Sequence, residues 1–466
     1  MARWSALILL FTTGAVSAQT VKVRVGASAK DLPLERYVAG VLAGESSVFQ
    51  SREAQKAMAV AARTYAVRLR GRHKSEGFDF CATTHCQHLD LDAVTPRLEG
   101  IADETAGELL WFEGKPAFAC YTRDCGGRTE DASAVWPDLA APYLKSHPDP
   151  YCAGAAWQSA VDPSRLADAL RRAGLRMPAQ PQQIAILDRT GSGRARTLSI
   201  SGGGESVRIA ASAFRFAVGR EIGWNEIRSD AYQVQGLVFN GRGSGHGVGL
   251  CQLGADHMGS GGRTYRDILA FYYPGTAVGL TGRGLSWTRL AGETIVLFTT
   301  HPDEDRAVLS LAEQIAAHTP LAPIHDIEVR IYPDVETFRN ATGEPGWVAA
   351  WTQGRRVQLQ PAAVLRSRGL LESTLRHELL HVLIEAQAAD GVPSWFREGL
   401  AGYLEHPVES TTQKIPSEAD LRQRQDPDRA RRAYRDAVRT VAALVQRHGQ
   451  AAVLGWLRTG LPPDLK

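Results

Sequence analysis

The turn-rich stretch "YYPGTAVGLTGRGLSWTRLAG", near residue 285, constrains the fold of this chain more than any other feature. All six cysteines precede it, and the region that follows has none. A cluster of turn residues between two differently composed regions is typical of a domain boundary. With 466 residues, the chain is long enough to bury more than one core. The sequence therefore predicts two domains, at residues 19–285 and 290–466.

The N-terminus, "MARWSALILLFTTGAVSAQT", has the pattern of an export signal. Arg3 precedes an apolar run, and the small residues of "VSA" fit cleavage after Ala18. We expect a signal peptide at residues 1–18 and a secreted or periplasmic protein. The apolar run is short for a bilayer span, so no stable membrane insertion is expected after cleavage. The formal net charge of +3 is too small to indicate a nucleic-acid partner.

In an exported chain, an even number of cysteines predicts disulfides. The pairing stays open, because six cysteines allow about fifteen connectivities. The stretch "RHKSEGFDFCATTHCQ" also groups four residues that can bind a metal: His73, Cys81, His85 and Cys86. Their spacing matches no standard zinc signature, so a disulfide between Cys81 and Cys86 is an equal alternative.

A predicted helix, "LPLERYVAGVLAGESS", carries a glutamate on its apolar face. The apolar positions recur at helical spacing. They are Leu34, Tyr37, Val38, Val41 and Leu42. Glu45 falls four positions after Val41 on the same face, where a charge is costly unless it is paired or used. Glu45 is therefore a candidate catalytic residue, and the alternative is a surface glutamate at a helix end.

The segment "LRHELLHVLIEAQAADGVPSWFREGLAGYLE" has the spacing of a zinc site. His377 and His381 lie at i and i+4, on one face of a helix, and Glu378 between them can act as general base. The glycine and proline of "GVP" end that helix, and Glu398 on a returning helix can supply a third ligand. The alternative is a buried polar helix without a metal.

Several stretches resemble the stage II sporulation protein D (SpoIID/LytB) family over residues 21–278. They are "LERYVAGVLAGES", "AMAVAARTYAVRLRG", "CATTHCQ", "CGGRTED", "PYLKSHPDPYC" and "GRGSGHGVGLCQLGADHMGSGGRTYRDILAFYYPGT". The resemblance implies a lytic transglycosylase that cuts peptidoglycan glycan strands, with Glu45 as its acid. A lone carboxylate suits this reaction, because it can protonate the glycosidic oxygen and then accept a proton from a sugar hydroxyl.

The same resemblance bears on other residues. We expect the glycines around His246 to let the backbone approach a glycan cleft closely, with His246 lining it. Some family members place a zinc near the positions of His73 and Cys86. Two departures stand out: Cys251 replaces a serine frequent in the family, and Met58 replaces a frequent glutamine.

Residues 290–460 resemble the gluzincin metallopeptidases, in particular the peptidase-MA-like families, through "HELLH" and "WFREGLAGYLE". This resemblance implies Zn²⁺ ligands at His377, His381 and Glu398, with Glu378 as base and a peptide or protein as substrate. The predicted fold class is α+β, a mixed glycan-cleft domain followed by a zincin-like domain with a small sheet and active-site helices. Two rival hypotheses stay open: a metallopeptidase whose first domain only binds peptidoglycan, and a non-catalytic wall-binding scaffold.

Overall fold

The structure, a computed structural model, describes residues 20–45, 49–139, 141–178, 180–282, 284–421 and 427–465. The predicted signal peptide at 1–18 lies outside the described residues. The chain forms two compact units, Thr20–Gly284 and Leu285–Lys466, which we call the N-terminal and C-terminal units. Helices and small sheets occur in both units, which confirms the α+β class.

The N-terminal unit has fourteen described strands and eight described α-helices. The strands are β1 (Thr20–Val25), β2 (Ser28–Pro33), β3 (Phe80–Cys81), β4 (Leu109–Phe112), β5 (Lys115–Pro116), β6 (Tyr121–Thr122), β7 (Ala156–Ala160), β8 (Gln183–Arg189), β9 (Ala195–Gly202), β10 (Glu205–Ala210), β11 (Tyr232–Gln235), β12 (Val238–Arg242), β13 (Leu250–Cys251) and β14 (Ala277–Gly279). The helices are α1 (Leu34–Glu45), α2 (Arg52–Arg68), α3 (Pro96–Glu104), α4 (Ala132–Val135), α5 (Pro163–Arg172), α6 (Ala211–Glu221), α7 (Gln252–Ser260) and α8 (Tyr265–Tyr272).

Helices α1 and α2 form the centre of the N-terminal unit. The predicted apolar face of α1 is buried, which confirms that helix. Helix α2 begins where Ser51 accepts a hydrogen bond from the Ala54 N–H, as an N-cap does. Arg63 of α2 is fully buried and bonds to the Glu35 carboxylate of α1 with Nε–Oε1 at 2.9 Å. This buried ion pair fixes α1 against α2, because a buried charge must be paired.

Short strands surround these helices. The sheets have the orders β2-β1-β3, β14-β4-β5 and β13-β6. The stretch "GKPAFACYTRD" forms two short strands, β5 and β6, separated by residues 117–120. Each half bonds to a different partner, β4 for the first and β13 for the second. The segment is therefore a link between two sheets.

Residues 156–242 form a subdomain with a separate core. Its two three-stranded sheets have the orders β10-β9-β8 and β11-β12-β7, and α5 and α6 pack with them. The core is built around Phe214, Phe239 and Leu198, each 0% exposed. Strand β12 pairs with β7 so that Arg242 faces Ala156. The first and last residues of the subdomain therefore lie side by side.

The C-terminal unit is one sheet with helices. Its strands are β15 (Thr288–Ala291), β16 (Ile295–Thr299), β17 (Ile327–Ile331), β18 (Ala350–Gln353) and β19 (Arg356–Leu359). Its helices are α9 (Pro302–Ala317), α10 (Val335–Thr342), α11 (Ala362–Ser367), α12 (Leu371–Glu385), α13 (Ser394–Glu405), α14 (Glu418–Leu421), α15 (Pro427–His448) and α16 (Gln450–Thr459). The sheet order is β15-β16-β17-β19-β18, with both outer strands antiparallel to their neighbours.

Helix α12 lies in the core of this unit, packed against β18, β19 and α13. It ends at Glu385, six positions before Gly391, so the prediction that Gly391 ends this helix is wrong. Helix α13 packs closely on α15, because a side chain at Gly399 would lie 2.6 Å from the Ala437 carbonyl oxygen. Across the described residues, no helix combines the length and the apolar character needed to span a bilayer.

Candidate active site

Glu45 is the last residue of α1, and its carboxylate is half-buried. Gln252, the first residue of α7, donates a hydrogen bond from Nε2 to Glu45 Oε2 at 2.9 Å. Burial raises the pKa of Glu45, and the Gln252 bond and the charges of His88 and Arg123 oppose that rise. The net effect is upward, so Glu45 keeps its proton to a higher pH than an ordinary glutamate.

A row of neutral hydrogen-bonding groups lies beside Glu45. Tyr37 donates from its hydroxyl to Gln87 Oε1 at 2.9 Å, and Gln87 Nε2 donates to the Tyr121 hydroxyl at 3.2 Å. Burial raises the pKa of Tyr121, and the negative charge of Glu45 raises it further. The Tyr121 phenol therefore stays protonated, close enough to Glu45 for their charges to interact.

Sequence reasoning missed Gln252, Gln87 and Tyr121. Gln87 and Gln252 fall within the stretches quoted above, "CATTHCQ" and "GLCQLGAD", and each directly follows a cysteine. Neither residue carries a charge, so no pattern of charge or periodicity distinguishes them. They approach Glu45 through tertiary contacts that span more than a hundred residues in the case of Gln252.

His246 is half-buried, and its ring packs edge-on against Trp136 with centroids 5.1 Å apart. Its Nδ1 accepts a hydrogen bond from the Val248 N–H at 3.0 Å. Burial lowers the pKa of His246 to about 3, and the nearby Arg215 and Arg194 add to the effect. The imidazole is therefore neutral at physiological pH. A hydrogen bond with the Tyr121 backbone links His246 to the surroundings of Glu45.

The glycines around His246 allow close contacts within the chain. A side chain at Gly249 would lie 2.0 Å from the Cys120 carbonyl oxygen, and one at Gly245 would lie 2.3 Å from Thr122 Oγ1. Both glycines have positive φ, which other residues adopt at a cost. They bring the backbone against residues 120–122, and their approach to a glycan cleft stays a prediction.

All six cysteines are free thiols, so the prediction of disulfides is wrong for this structure. The ligand atoms of His73, Cys81, His85 and Cys86 all lie within 4.8 Å of one another. His73 Nε2 is 3.3 Å from Cys86 Sγ. Burial raises the pKa of Cys81, but hydrogen bonds with Thr83 and His85 bring it down to about 6. A thiol of this kind is a ready metal ligand.

In the C-terminal unit, α12 presents His377 and His381 side by side. Their Nε2 atoms are 3.2 Å apart, and His381 Nε2 is 3.4 Å from Glu398 Oε2 on α13. Two nitrogens bound to one tetrahedral zinc at about 2.0–2.1 Å are about 3.3 Å apart. The spacing of the two histidines therefore suits a shared zinc ion.

Two carboxylate oxygens at this site have no hydrogen bond within the described part of the chain, and one of them, Glu398 Oε2, lies within ion-pair distance of His381 Nε2 at 3.4 Å. Oε1 of Glu378 and Oε2 of Glu398 are buried, and neither accepts a hydrogen bond from any residue that the structure describes. Burial raises the pKa of Glu378, and it raises that of Glu398 to about 8. Burial lowers the pKa of His381, as does the charge of His377. A bound cation would offset the cost of these buried groups, so the residues fit a metal.

Two further residues hold this site, and sequence reasoning missed both. Glu405 Oε2 accepts from His377 Nδ1 at 2.9 Å, and the Thr352 hydroxyl of β18 donates to Glu378 Oε2. Burial lowers the pKa of His377, but Glu405 and the other carboxylates raise it above its ordinary value. Glu405 lies seven positions after Glu398, two helical turns along the same face, and this spacing could have revealed it.

Comparisons with known proteins concern the N-terminal part. Residues 15–112 match the SpoIID family, described as stage II sporulation protein. An uncharacterised protein of Brachyspira hyodysenteriae is 32% identical over 257 residues, which cover 53% of this chain and 67% of that protein. Stage II sporulation protein D of Bacillus subtilis is 29% identical over 272 residues, 54% of this chain and 76% of that protein. The amidase enhancer of Bacillus subtilis is 25% identical over 286 residues, 51% of this chain and 40% of that protein. The chain therefore belongs to the stage II sporulation protein D family.

Proposed function

We propose that this protein is an exported cell-wall enzyme whose N-terminal unit cleaves the glycan strands of peptidoglycan as a lytic transglycosylase. One observation carries the proposal: Glu45 is a half-buried carboxyl group with a raised pKa, held by Gln252 at the end of α1. A general acid needs a proton near neutral pH, and this environment shifts the pKa of Glu45 in the required direction. Family membership supports peptidoglycan as the substrate.

The reaction follows from one carboxyl group. Glu45 donates its proton to the glycosidic oxygen, and the bond from that oxygen to the sugar's anomeric carbon breaks. The Glu45 carboxylate then accepts a proton from a hydroxyl of the same sugar, and the hydroxyl oxygen bonds to the anomeric carbon. The product is an anhydro sugar, Glu45 regains its proton, and no water is consumed. The Gln252 amide orients the carboxyl group in both steps, and His246 belongs to the proposed glycan-binding surface.

The first prediction tests Glu45. Glu45→Gln keeps the size and hydrogen bonding of the side chain but removes the proton, so the release of anhydro-ended sugars should fall about 10²–10⁴-fold. The substrate is peptidoglycan without stem peptides, and the products are measured by chromatography with mass spectrometry. Glu205→Gln is the matched control, because Glu205 is exposed on β10. It should cleave at the wild-type rate.

The outcomes separate the rival hypotheses. A Glu45→Gln variant that cleaves at the wild-type rate would show that Glu45 is not the acid. A wild-type protein that pellets with insoluble peptidoglycan, yet releases no anhydro ends, would leave the N-terminal unit as a binding module. Binding without cleavage should instead be the property of the Glu45→Gln variant.

We propose, as a second activity, that the C-terminal unit is a zinc-dependent peptidase with ligands His377, His381 and Glu398. The buried Oε1 of Glu378, which accepts no hydrogen bond from the described residues, and the approach of Glu398 Oε2 to His381 Nε2 favour this proposal over a metal-free helix. When bound, Zn²⁺ supplies Lewis acidity toward water and toward a peptide carbonyl. Glu405 accepts the Nδ1 proton of His377, which leaves the Nε2 lone pair for the metal.

Glu378 is the proposed base of this peptidase. The Thr352 hydroxyl donates to its Oε2 and fixes the carboxylate, so that Oε1 is the oxygen left to accept a proton from water. Glu378 then delivers that proton to the nitrogen of the departing amine. The proposed substrate is a peptide or protein.

The second prediction tests the metal. His377→Ala combined with His381→Ala in the full-length mature protein should lose one equivalent of zinc, measured by mass spectrometry of the metal. Glu378→Gln should retain the zinc and lose hydrolysis of a labelled casein probe, because the base is removed and the ligands remain. His318→Ala is the control, since His318 is exposed on the same unit. Wild-type zinc content in the double variant would contradict the ligand set.

We also propose that His73, Cys81, His85 and Cys86 hold a second zinc. Two imidazoles and two thiols within 4.8 Å form a donor set that zinc favours. The next residue after this group, Gln87, bonds to Tyr121 beside Glu45. The group thus fixes the backbone from which Gln87 reaches the glycan site.

A further inference from the structure

A second group of metal-binding side chains lies inside the N-terminal unit, apart from the residues assigned above. It consists of Cys125, Asp149, Cys152 and Cys251. One ligand atom from each residue lies within 4.8 Å of the other three. All four residues are buried, with exposed fractions of 1%, 2%, 3% and 0% in that order. The fold therefore places three thiols and a carboxylate close together in the protein interior.

Backbone hydrogen bonds gather these residues from three separate segments. Asp149 N–H donates to the Gly127 carbonyl at 3.0 Å, and Cys152 N–H donates to the Asp149 carbonyl at 3.2 Å. Cys125 follows β6, which pairs in parallel with the strand β13 that contains Cys251. The convergence is thus built by the fold and not by flexible side chains.

The polar atoms of the group are oriented as a ligand set. Cys251 Sγ accepts hydrogen bonds from the Cys125 N–H at 3.3 Å and the Gly254 N–H at 3.4 Å. Both backbone donors point at the sulfur and fix its position, as supporting groups do around a ligand atom. The Tyr272 hydroxyl donates to Asp149 Oδ2 at 2.8 Å, as a supporting group does beside a ligating carboxylate.

The backbone at Gly254 packs directly against this group, with no room for a side chain. A side chain there would lie 2.1 Å from the Tyr272 hydroxyl oxygen and 2.6 Å from Asp149 Oδ2. Arg194, which is almost fully buried, donates from Nη2 to the Cys125 carbonyl oxygen. Its positive charge lies beside a group that becomes anionic when the thiols lose their protons.

A disulfide explains this group less completely than a metal does. A disulfide between two of the cysteines uses only two of the three buried thiols and leaves the third beside the Asp149 carboxylate. Four donors around one zinc, at about 2.3 Å for sulfur and about 2.0–2.2 Å for oxygen, lie about 3.5–3.8 Å apart. That separation is compatible with the observed limit of 4.8 Å. A thiolate-rich set also selects zinc over magnesium or calcium.

We propose that Cys125, Cys152, Cys251 and Asp149 bind one structural Zn²⁺ that fastens three segments of the N-terminal unit together. Each thiol gives up its proton when its sulfur bonds to zinc, and Asp149 binds as the carboxylate, so three protons are released. No electron is transferred. With all four positions filled by protein, the site is closed and structural. The proposal is independent of the glycan and peptide cleavage proposed above.

Metal content tests the site in the full-length mature protein. Cys251→Ser should lower the zinc content by one equivalent per chain relative to the wild type, because serine at this position is a poor zinc ligand of nearly equal size. Cys120→Ser is the matched control: Cys120 is equally buried, but its sulfur contacts the Val248 carbonyl oxygen and not this group. The control should keep the wild-type zinc content.

Thiol protection tests the site without any substitution in the group. The His85→Ala variant, which disables the His73 cluster, is stripped with a chelator and alkylated with iodoacetamide with or without added Zn²⁺. Mass spectrometry should show that zinc protects Cys125, Cys152 and Cys251 together and leaves the modification of Cys120 unchanged. Equal alkylation with and without zinc would overturn the proposal. A disulfide among the three cysteines in the unreduced protein, with zinc content unaffected by Cys251→Ser, would overturn it as well.

Discussion

At the scale of the residue, Glu45 is held in a state that works against the stability of the protein. Its pKa is raised by burial, so the folded protein binds the proton more tightly than the unfolded chain does. The stabilisation from this proton is complete below the pKa of the unfolded chain. It is lost as the pH rises through the folded pKa. Above the pKa of the folded protein, the ionised carboxylate therefore costs the fold some stability.

The third prediction follows from that sign. The wild type loses stability as Glu45 ionises, and the Glu45→Gln variant does not, because glutamine cannot ionise. The melting temperature of the variant should therefore rise relative to that of the wild type as the pH is raised from about 4 to about 8. Calorimetry in that range should show a gain of a few degrees, located in the N-terminal unit. Glu205→Gln should show no such trend, because Glu205 is exposed. A constant difference across the range would contradict the raised pKa.

In both sites, some residues could be predicted from the sequence and their hydrogen-bond partners could not. Glu45 stands out in the sequence because it interrupts an apolar face, and the two histidines stand out because i and i+4 positions share a face. Their partners do not stand out in the same way. Gln252 reaches Glu45 from 207 positions away in the chain. Thr352 reaches Glu378 from a neighbouring strand. Local spacing predicts the residues on one helix, whereas tertiary packing decides what meets them.

At the scale of the element, a close packing contact of α1 positions Glu45. A side chain at Gly44 would lie 2.4 Å from the His88 carbonyl oxygen, and the ring of His88 approaches the Gly44 carbonyl with Nδ1 at 2.9 Å. Gly44 therefore allows the last turn of α1 to lie directly on the backbone at His88. The position of Glu45, the next residue, depends on this contact.

The fourth prediction is that Gly44→Ala destabilises the protein. Alanine normally stabilises a helix relative to glycine by about 0.5–1 kcal/mol, but here the new methyl group overlaps backbone atoms and should cost about 1–3 kcal/mol. Gly100→Ala is the matched control, because a side chain at Gly100 of α3 meets nothing within 4 Å. The control should be slightly stabilising in urea unfolding. Equal effects of the two substitutions would show that the backbone at His88 moves to accommodate the new methyl group.

Element prediction succeeded where a periodic face or a cap was present. Helix α1 has such a face, and that face is buried as predicted. Local strand propensity does not reveal that the two halves of "GKPAFACYTRD" pair with different partners. Element prediction was wrong about the end of α12, because the helix stops before the glycine that could have ended it.

At the scale of the whole molecule, the chain contains two units with separate cores. The turn-rich stretch lies where the contacts divide, between Gly284 and Leu285. The subdomain at 156–242 was not predicted, because its short strands are spaced much like those around it. Only the contacts among residues such as Phe214 and Phe239 distinguish its core from the one beneath α2.

The fifth prediction is that the two units unfold in separable steps. Met58→Ala and Leu444→Ala each empty a fully buried site, in the N-terminal and C-terminal core respectively, and each should cost about 2–5 kcal/mol. In calorimetry, each substitution should lower one transition and leave the other within error. A single transition that both substitutions lower would show that the two cores unfold cooperatively.

The pairing of Ala156 with Arg242 has a consequence for how such a protein can change. Because the subdomain leaves and rejoins the chain at adjacent points, it is a cassette: a short turn could replace it without stretching the flanking backbone. The loop-closure cost of such an exchange is small for a few residues. The exchange would remove Arg194, which donates a hydrogen bond to the Cys125 carbonyl oxygen beside the buried thiols. Insertions, deletions or replacements within this cassette can therefore change the surface of the protein without moving the flanking backbone.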